Sequence, residues 1–166
     1  FGAGRMLEPE AILAAISPHF PGRTLQPKRT LITGGGTREP IDAVRYIGNH
    51  SSGRTASAIA DALISRGHAV TYLGAANALR PNLPCQLEVF SSYADLEKQL
   101  RRVLGEHHFD WVIHAAAVSD FSVDHIEQDG KTSMAAGKLS SSGKLSLHLK
   151  PNAKLLPRLR DWSANA

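Results

Sequence analysis

Cysteine is nearly absent from the chain. Cys85 is the single one in 166 residues, which excludes an intrachain disulfide and a cysteine-rich metal site and leads us to expect a reducing, cytoplasmic setting. Aromatic residues make up only 6%, too few for the stacking platforms that hold single-stranded nucleic acid. Long apolar runs are missing too. The longest, residues 111–118, is interrupted by His114 and falls well short of the ~20 residues that span a bilayer, so no membrane segment is expected. Charge of one sign is not concentrated: 19 Lys and Arg stand against 15 Asp and Glu, a net +4 spread along the sequence. That balance suits anionic small molecules better than a nucleic-acid groove. Finally, the sequence starts at Phe1 rather than Met and shows no basic-then-apolar leader, and we expect a piece of a longer polypeptide.

What remains is enough apolar sequence, 42%, for one domain with a real core and some appendages. Residues 8–16 read as a helix with Pro9 in its first turn and Ile12, Leu13 and Ile16 on one face. That face is expected to pack on something outside this chain. Residues 17–29 carry Pro18, Pro21, Gly22 and Pro27 and no apolar period, which is linker composition. Strands are predicted at 30–33, 69–73, 87–90 and 111–115, with amphipathic helices at 53–66 and 93–107 between them. This alternation predicts a Rossmann-like α/β fold, a parallel sheet flanked by helices. From 118 to 143 the periodicity is lost, as in a functional loop or a disordered segment. A half-buried strand is expected at 145–149, and a helix kinked by Pro157 at 152–162.

Two loops carry the candidate chemistry. Gly34, Gly35 and Gly36 follow the first strand, where exposed backbone N–H groups collect phosphates. The dinucleotide fingerprint fails there: Glu39 stands at the last glycine position, and the second strand ends in Leu73-Gly74 without the ribose-binding acid. No Walker Gly-Lys-Ser/Thr follows either. Instead, about twenty residues separate strand from helix, where a dinucleotide fold uses only a few. Within them Arg45 offers a planar fork, Asn49 an uncharged donor, and Ser51, Ser52 and Gly53 a capped helix start attractive to phosphate. The second loop, Ala115, Ala116, Ala117, Val118, Ser119 and Asp120, puts small residues at a strand's carboxyl end, where a nucleotide approaches the backbone. Short-chain dehydrogenases share a similar stretch, but Tyr46, Tyr72 and Tyr93 are followed four residues on by His50, Ala76 and Glu97, not by their catalytic Lys.

In order and spacing, Thr33–Asp42, Val44–Ile47, Asn49–Gly53, Ala115–Asp120 and Lys138–Ser141 resemble phosphopantothenate-cysteine ligase. The resemblance covers residues 30–160, and the Arg-Tyr-Ile-x-Asn-His-Ser-Ser-Gly string is its most specific part. It implies a ligase that joins 4'-phosphopantothenate to L-cysteine through an acyl-nucleotidylate, using CTP, or ATP in some members, with Mg²⁺. By this likeness Asn49 turns over the acyl intermediate, Arg45 and His50 meet the substrate, and Lys138 opens a strap over the triphosphate. Gly34–Gly36, Ser51–Gly53, Ala115–Ala117 and Asp120 would line the nucleotide site; no metal ligands are assigned. Ser140 and Ser141 replace the further strap lysines of many members, which leaves the base preference open between CTP and ATP. Residues 4–9 resemble the tail of a flavin-dependent phosphopantothenoylcysteine decarboxylase, whose domain would carry FMN. The expected plan is therefore a decarboxylase remnant at 1–16, a linker at 17–29 and a C-terminally truncated ligase domain at 30–166. A homodimer or higher oligomer is implied for the intact protein, and an inactive fragment for this chain alone. The competing readings are an NAD(P)-binding short-chain reductase or epimerase and a non-catalytic binding module.

Overall fold

The computed structural model describes residues 7–16, 26–133, 138–140 and 142–165. Four parallel strands form the centre: β1 (Arg29–Gly34), β4 (Ala69–Ala75), β5 (Gln86–Phe90) and β6 (Trp111–His114). Their order is β5-β4-β1-β6. The chain thus moves outward in one direction from β1 and then returns to place β6 on the other side. Such a reversal opens a crevice at the carboxyl ends of the two strands that flank it.

Both faces of the sheet are covered, and β1 shows why its residues suit neither alternation nor exposure. Leu31 and Ile32 are consecutive, fully buried and in different clusters, one on each face. Near-continuous apolar sequence is what a doubly covered parallel strand requires. One face receives α2 (Arg54–Ile64), whose Ala56, Ile59, Ala60 and Leu63 meet Ile32, Val70 and Tyr72. The other receives α3 (Tyr93–Glu106), whose Leu96, Leu100, Val103 and Leu104 are fully buried with Leu31 and Leu73. Ser92 caps α3 by accepting the Asp95 N–H at 3.3 Å, while the Asp95 carboxylate accepts the Ser91 N–H at 2.8 Å. The Ser92 cap starts the helix, and Asp95 holds the residue before it. Gly67, at φ 83°, lets the chain leave α2 with Gly67 N–H bonded to Ile64 and His68 N–H to Leu63.

Three regions depart from expectation. Helix α1 (Pro9–Ile16) forms as predicted, but Ile12 packs on the chain's own α2 cluster. The segment thought to lack regularity contains β7 (Phe121–Gln128) and β8 (Lys131–Ser133), which build an antiparallel sheet with β9 (Leu145–Pro151) in the order β8-β7-β9. A register shift between Val123 and His125 interrupts the period-two pattern. Only Ile126 of this sheet joins the fully buried side chains, so polar residues occupy both faces and mask the strand signal. Third, the expected C-terminal helix shrinks to one 3-10 turn, Leu156–Arg158. Pro157 has no N–H to extend it, although Leu155 and Leu159 still reach the α3 core.

The long insertion after β1 is itself structured, as a small hairpin of β2 (Arg38–Pro40) and β3 (Tyr46–Gly48). Glu39 on β2 is buried, and its two carboxylate oxygens accept from the Tyr93 N–H at 2.8 Å and the Ser122 hydroxyl at 2.9 Å. One side chain therefore ties the hairpin to the start of α3 and to β7. Much of the proposed linker, and all of residues 1–6, lies outside the described residues.

Candidate active site

The crevice between β1 and β6 is closed at its base by backbone. Ala117 N–H donates to Gly35 C=O at 2.8 Å, and Thr37 N–H donates to Ala117 C=O at 3.1 Å. The two candidate loops are thereby one continuous floor. Thr37 C=O in turn accepts the Asn49 N–H at 3.1 Å, so Thr37 stands between the second loop and the Arg45–Gly53 segment. Its buried hydroxyl accepts the Ser119 N–H at 2.9 Å.

The glycines make this closeness possible. A Cβ on Gly34 would stand 2.4 Å from the Tyr72 hydroxyl, and one on Gly36 would stand 2.3 Å from the Asn49 carbonyl oxygen. Gly34, Gly35 and Gly36 are all buried, and protein atoms occupy the space their side chains would take. Tyr72 supports the turn from below. Its hydroxyl donates to Leu79 C=O at 3.1 Å, and burial, with a smaller contribution from Cys85, pushes its pKa up to about 12.

Of the predicted site residues, Asn49 and His50 are exposed above this floor. Helix α2 was expected to begin at Gly53 under serine caps. It begins at Arg54, with Gly53 as the N-cap at φ 72° and no side chain capping the end. The Ser52 hydroxyl lies 3.4 Å from the Arg54 N–H, and the Ser52 carbonyl accepts the Leu79 N–H at 2.9 Å. The first helical turn, with its partial positive charge and only the long Ser52 bond from a side chain, lies beside the same floor.

Arg45 and Leu139, the residue after Lys138, are joined through Asp42. Asp42 is buried; its Oδ1 accepts the N–H groups of Val44 and Arg45 at 2.8 and 2.7 Å, and its Oδ2 accepts the Leu139 N–H at 3.1 Å. The Arg45 guanidinium pairs with the same Oδ2 at 2.9 Å and donates to Leu139 C=O at 2.8 Å. The Val44 N–H foremost, then those of Leu139 and Arg45 and the Arg45 charge, outweigh burial and hold the Asp42 carboxyl below its ordinary range. The Asp at the mouth of a turn, two and three residues before the N–H groups it accepts, is an Asx-turn signature that could have flagged it. Lys138 itself is exposed next to this knot; Ser141, grouped with it in the sequence motif, lies outside the described residues.

The second loop divides. Ala115 packs into the α2 cluster and Ala116 against the α3 cluster, so packing accounts for those two small residues. Asp120 is exposed and paired with Lys154, and its carbonyl accepts the Asn152 N–H at 2.8 Å. It is engaged by the C-terminal segment rather than by the Asn49 cluster. His114, at the end of β6, has Nδ1 2.8 Å from the Thr33 hydroxyl, which also accepts the Ala116 N–H at 3.2 Å. Burial lowers its pKa and favours the neutral imidazole.

This arrangement defines an α/β protein of Rossmann-like type whose candidate site lies at the topological switch point, on an inserted hairpin. Residues 25–165 match the DNA/pantothenate metabolism flavoprotein C-terminal domain, and the chain belongs to that family. It is 37% identical over 158 residues to the coenzyme A biosynthesis bifunctional protein CoaBC of Haemophilus influenzae, covering 93% of this chain and 37% of that protein. To the protein of the same name from Thermococcus kodakarensis it is 33% identical, covering 96% and 38%. The chain therefore spans well under half the length of these relatives. Among solved structures, the DNA/pantothenate metabolism flavoprotein from Streptococcus pneumoniae superposes with a TM-score of 0.69 at 27% identity, over 81% of this chain and 65% of that one. The C-terminal domain of a CoaBC protein gives 0.65 at 29%, over 83% and 60%.

Proposed function

We propose that the intact protein acts in coenzyme A biosynthesis as a phosphopantothenate-cysteine ligase, and that this chain supplies the floor and the hairpin of its active site. The observation that supports this most is the backbone chain Ala117–Thr37–Asn49. It sets the exposed Asn49 close to the start of α2 at the switch point, which suits a reaction that builds negative charge next to a phosphate. In the first step a carboxylate oxygen of 4'-phosphopantothenate attacks the α-phosphorus of CTP, or of ATP, and pyrophosphate departs. In the second the L-cysteine amine attacks the acyl carbon, loses a proton and expels the nucleoside monophosphate. Asn49 donates to the oxyanion of that second step, a contribution typically of 10²–10³ in rate. The α2 start, reached through Ser51, Ser52 and Gly53, receives a phosphate, and the Ala115–Ala117 segment supports the floor beneath it through its packing and backbone bonds. Arg45 and His50 face the substrate side, and Lys138 approaches the triphosphate.

Mg²⁺ is assigned no cage of protein ligands. Among the described residues no group of three or more His, Cys, Asp or Glu side chains converges as a metal site. The ion would enter with the triphosphate and would offset its negative charge. FMN belongs to a separate decarboxylase domain and is assigned no residue here. We place the protein in the cytoplasm from its single cysteine; among the described residues no helix is long and apolar enough to cross a membrane. In this reading the intact protein is a homodimer or higher oligomer.

The test is pyrophosphate release by the intact protein. It should require a nucleoside triphosphate, Mg²⁺ and 4'-phosphopantothenate together, with CTP and ATP compared directly. Asn49→Asp and Lys138→Gln should each lower coupling to cysteine. Hydride transfer to or from NAD(P) without nucleotide-dependent ligation would overturn the proposal in favour of a short-chain reductase.

A further inference from the structure

Leu139 has both of its backbone groups taken by one pair of residues on the inserted hairpin. Its N–H goes to Asp42 Oδ2 at 3.1 Å, and its C=O accepts from Arg45 Nη2 at 2.8 Å. The two partners are themselves paired at 2.9 Å. Asp42 is fully buried and also holds the N–H groups of Val44 and Arg45, so its carboxylate has little freedom to reorient. A carboxylate accepting several backbone N–H groups and a guanidinium is a strong, directional anchor. It fixes Leu139 to the hairpin that ends at Gly48 and leads directly into Asn49. Lys138 is the adjacent residue and is exposed. Its ammonium sits on a long flexible stem, so its reach is set by where its backbone is held.

We propose that Asp42 is the positioning residue for Lys138: by clamping Leu139 to the β2–β3 hairpin, it sets the lysine against the same site that Asn49 serves. The proposal rests on the ligase reading for what Lys138 contacts, a triphosphate, but the clamp itself is tested without it. Asp42 touches no substrate in this account. It acts through Leu139 and the lysine beside it.

The experiment uses Asp42→Asn in the intact protein and has two arms. In hydrogen exchange without ligand, the Leu139 amide should exchange at least about tenfold faster than in the parent, because a neutral amide is a weaker acceptor. The amides of Leu100 and Val103 in α3 should keep their protection, showing that the core is intact. In steady-state kinetics, KM for the nucleoside triphosphate should rise about tenfold, with kcat changed far less, as expected when a binding contact rather than the chemistry is loosened. Asp42→Asn combined with Lys138→Gln should be no worse than Lys138→Gln alone. An unchanged Leu139 exchange rate in a folded variant, or fully additive losses in the double variant, would overturn the proposal. Should Asp42→Asn fail to fold, Leu139→Pro removes the same N–H without touching the carboxylate, and a KM equal to the parent's would be the refuting result. If the parent protein releases no pyrophosphate with any nucleotide, the ligase reading fails, while the exchange arm still decides the clamp.

Discussion

Gly36→Ala should disable the proposed site through a single added methyl. The backbone of Gly36 does not lie in the left-handed region, so alanine brings no conformational strain of its own, and the effect is steric. The new Cβ would stand 2.3 Å from the Asn49 carbonyl oxygen and 3.1 Å from its carbonyl carbon. A contact of about 3 Å is the practical minimum, so Asn49 must retreat by roughly 0.7 Å or more. That retreat pulls on the 3.1 Å bond from Asn49 N–H to Thr37 C=O. Overpacking of this kind costs about 1–3 kcal/mol in stability. Displacing a catalytic group by about an ångström costs on the order of 10²-fold in rate. The assay is pyrophosphate release and cysteine coupling by the intact protein, alongside thermal unfolding. Since Gly36 acts through Asn49, the double variant Gly36→Ala, Asn49→Asp should be scarcely slower than Asn49→Asp alone. A folded Gly36→Ala protein with coupling within about twofold of the parent would refute the reasoning, because the shift of Asn49 would then carry no catalytic consequence.

Other expectations concern the scaffold. Leu100→Ala removes a fully buried side chain from the α3 core and should cost about 2–5 kcal/mol in a denaturant titration. Tyr93→Phe removes the 2.8 Å bond to Ala153 C=O and should cost about 0.5–1.5 kcal/mol by the same measurement, loosening the C-terminal segment first. Acid should weaken the fold before the carboxylates titrate. Burial lowers the pKa of His114, and burial followed by the Arg66 charge lowers that of His68, both from an ordinary 6.5. The unfolded chain therefore binds these protons first, so the two contributions are complete above pH 6.5 and are lost as pH falls through the lower folded values. His114→Asn should flatten the dependence of unfolding free energy on pH in that window; an unchanged slope would show that His114 is not held neutral.

The sheet and its two covering helices were legible because burial on both faces leaves apolar runs and stripes in the sequence. Leu96, Leu100, Val103 and Leu104 repeat at helical spacing and are all fully buried. Leu31 and Ile32, read as part of a short strand, serve opposite faces. The antiparallel sheet was not legible for the opposite reason. Of β7, only Ile126 is fully buried, and the register shift after Val123 breaks the alternation that would have revealed it. One local sign was available: Asp129 and Gly130 both have positive φ, at 51° and 76°, and an Asp-Gly pair is a favoured hairpin turn. Asp42 and Glu39 were missed as organising groups because their partners lie at Leu139, Tyr93 and Ser122, far away in sequence. Long-range polar contacts of this kind have no period to read.

The same contrast bears on the glycine run after β1. In a dinucleotide fold the turn after the first strand opens a helix within a few residues, and its glycines admit the pyrophosphate and pack that helix. Here Gly34 makes room for Tyr72 and Ala56, Gly35 for Ala75 and Ala78, and Gly36 for Asn49. The helix that would follow at once is deferred to Arg54, and the backbone between is spent on a hairpin held by Glu39 and Asp42. Small residues at 34–36 and 115–117 therefore let protein approach protein, closing the base of the crevice through the Gly35, Thr37 and Ala117 backbone bonds. In the proposed function a ligand at this switch point would lie against the exposed Asn49 and His50 and the start of α2 rather than on the glycine turn. The broken fingerprint thus has a physical reason: these glycines serve contacts within the protein, at positions where a Cβ would collide with it.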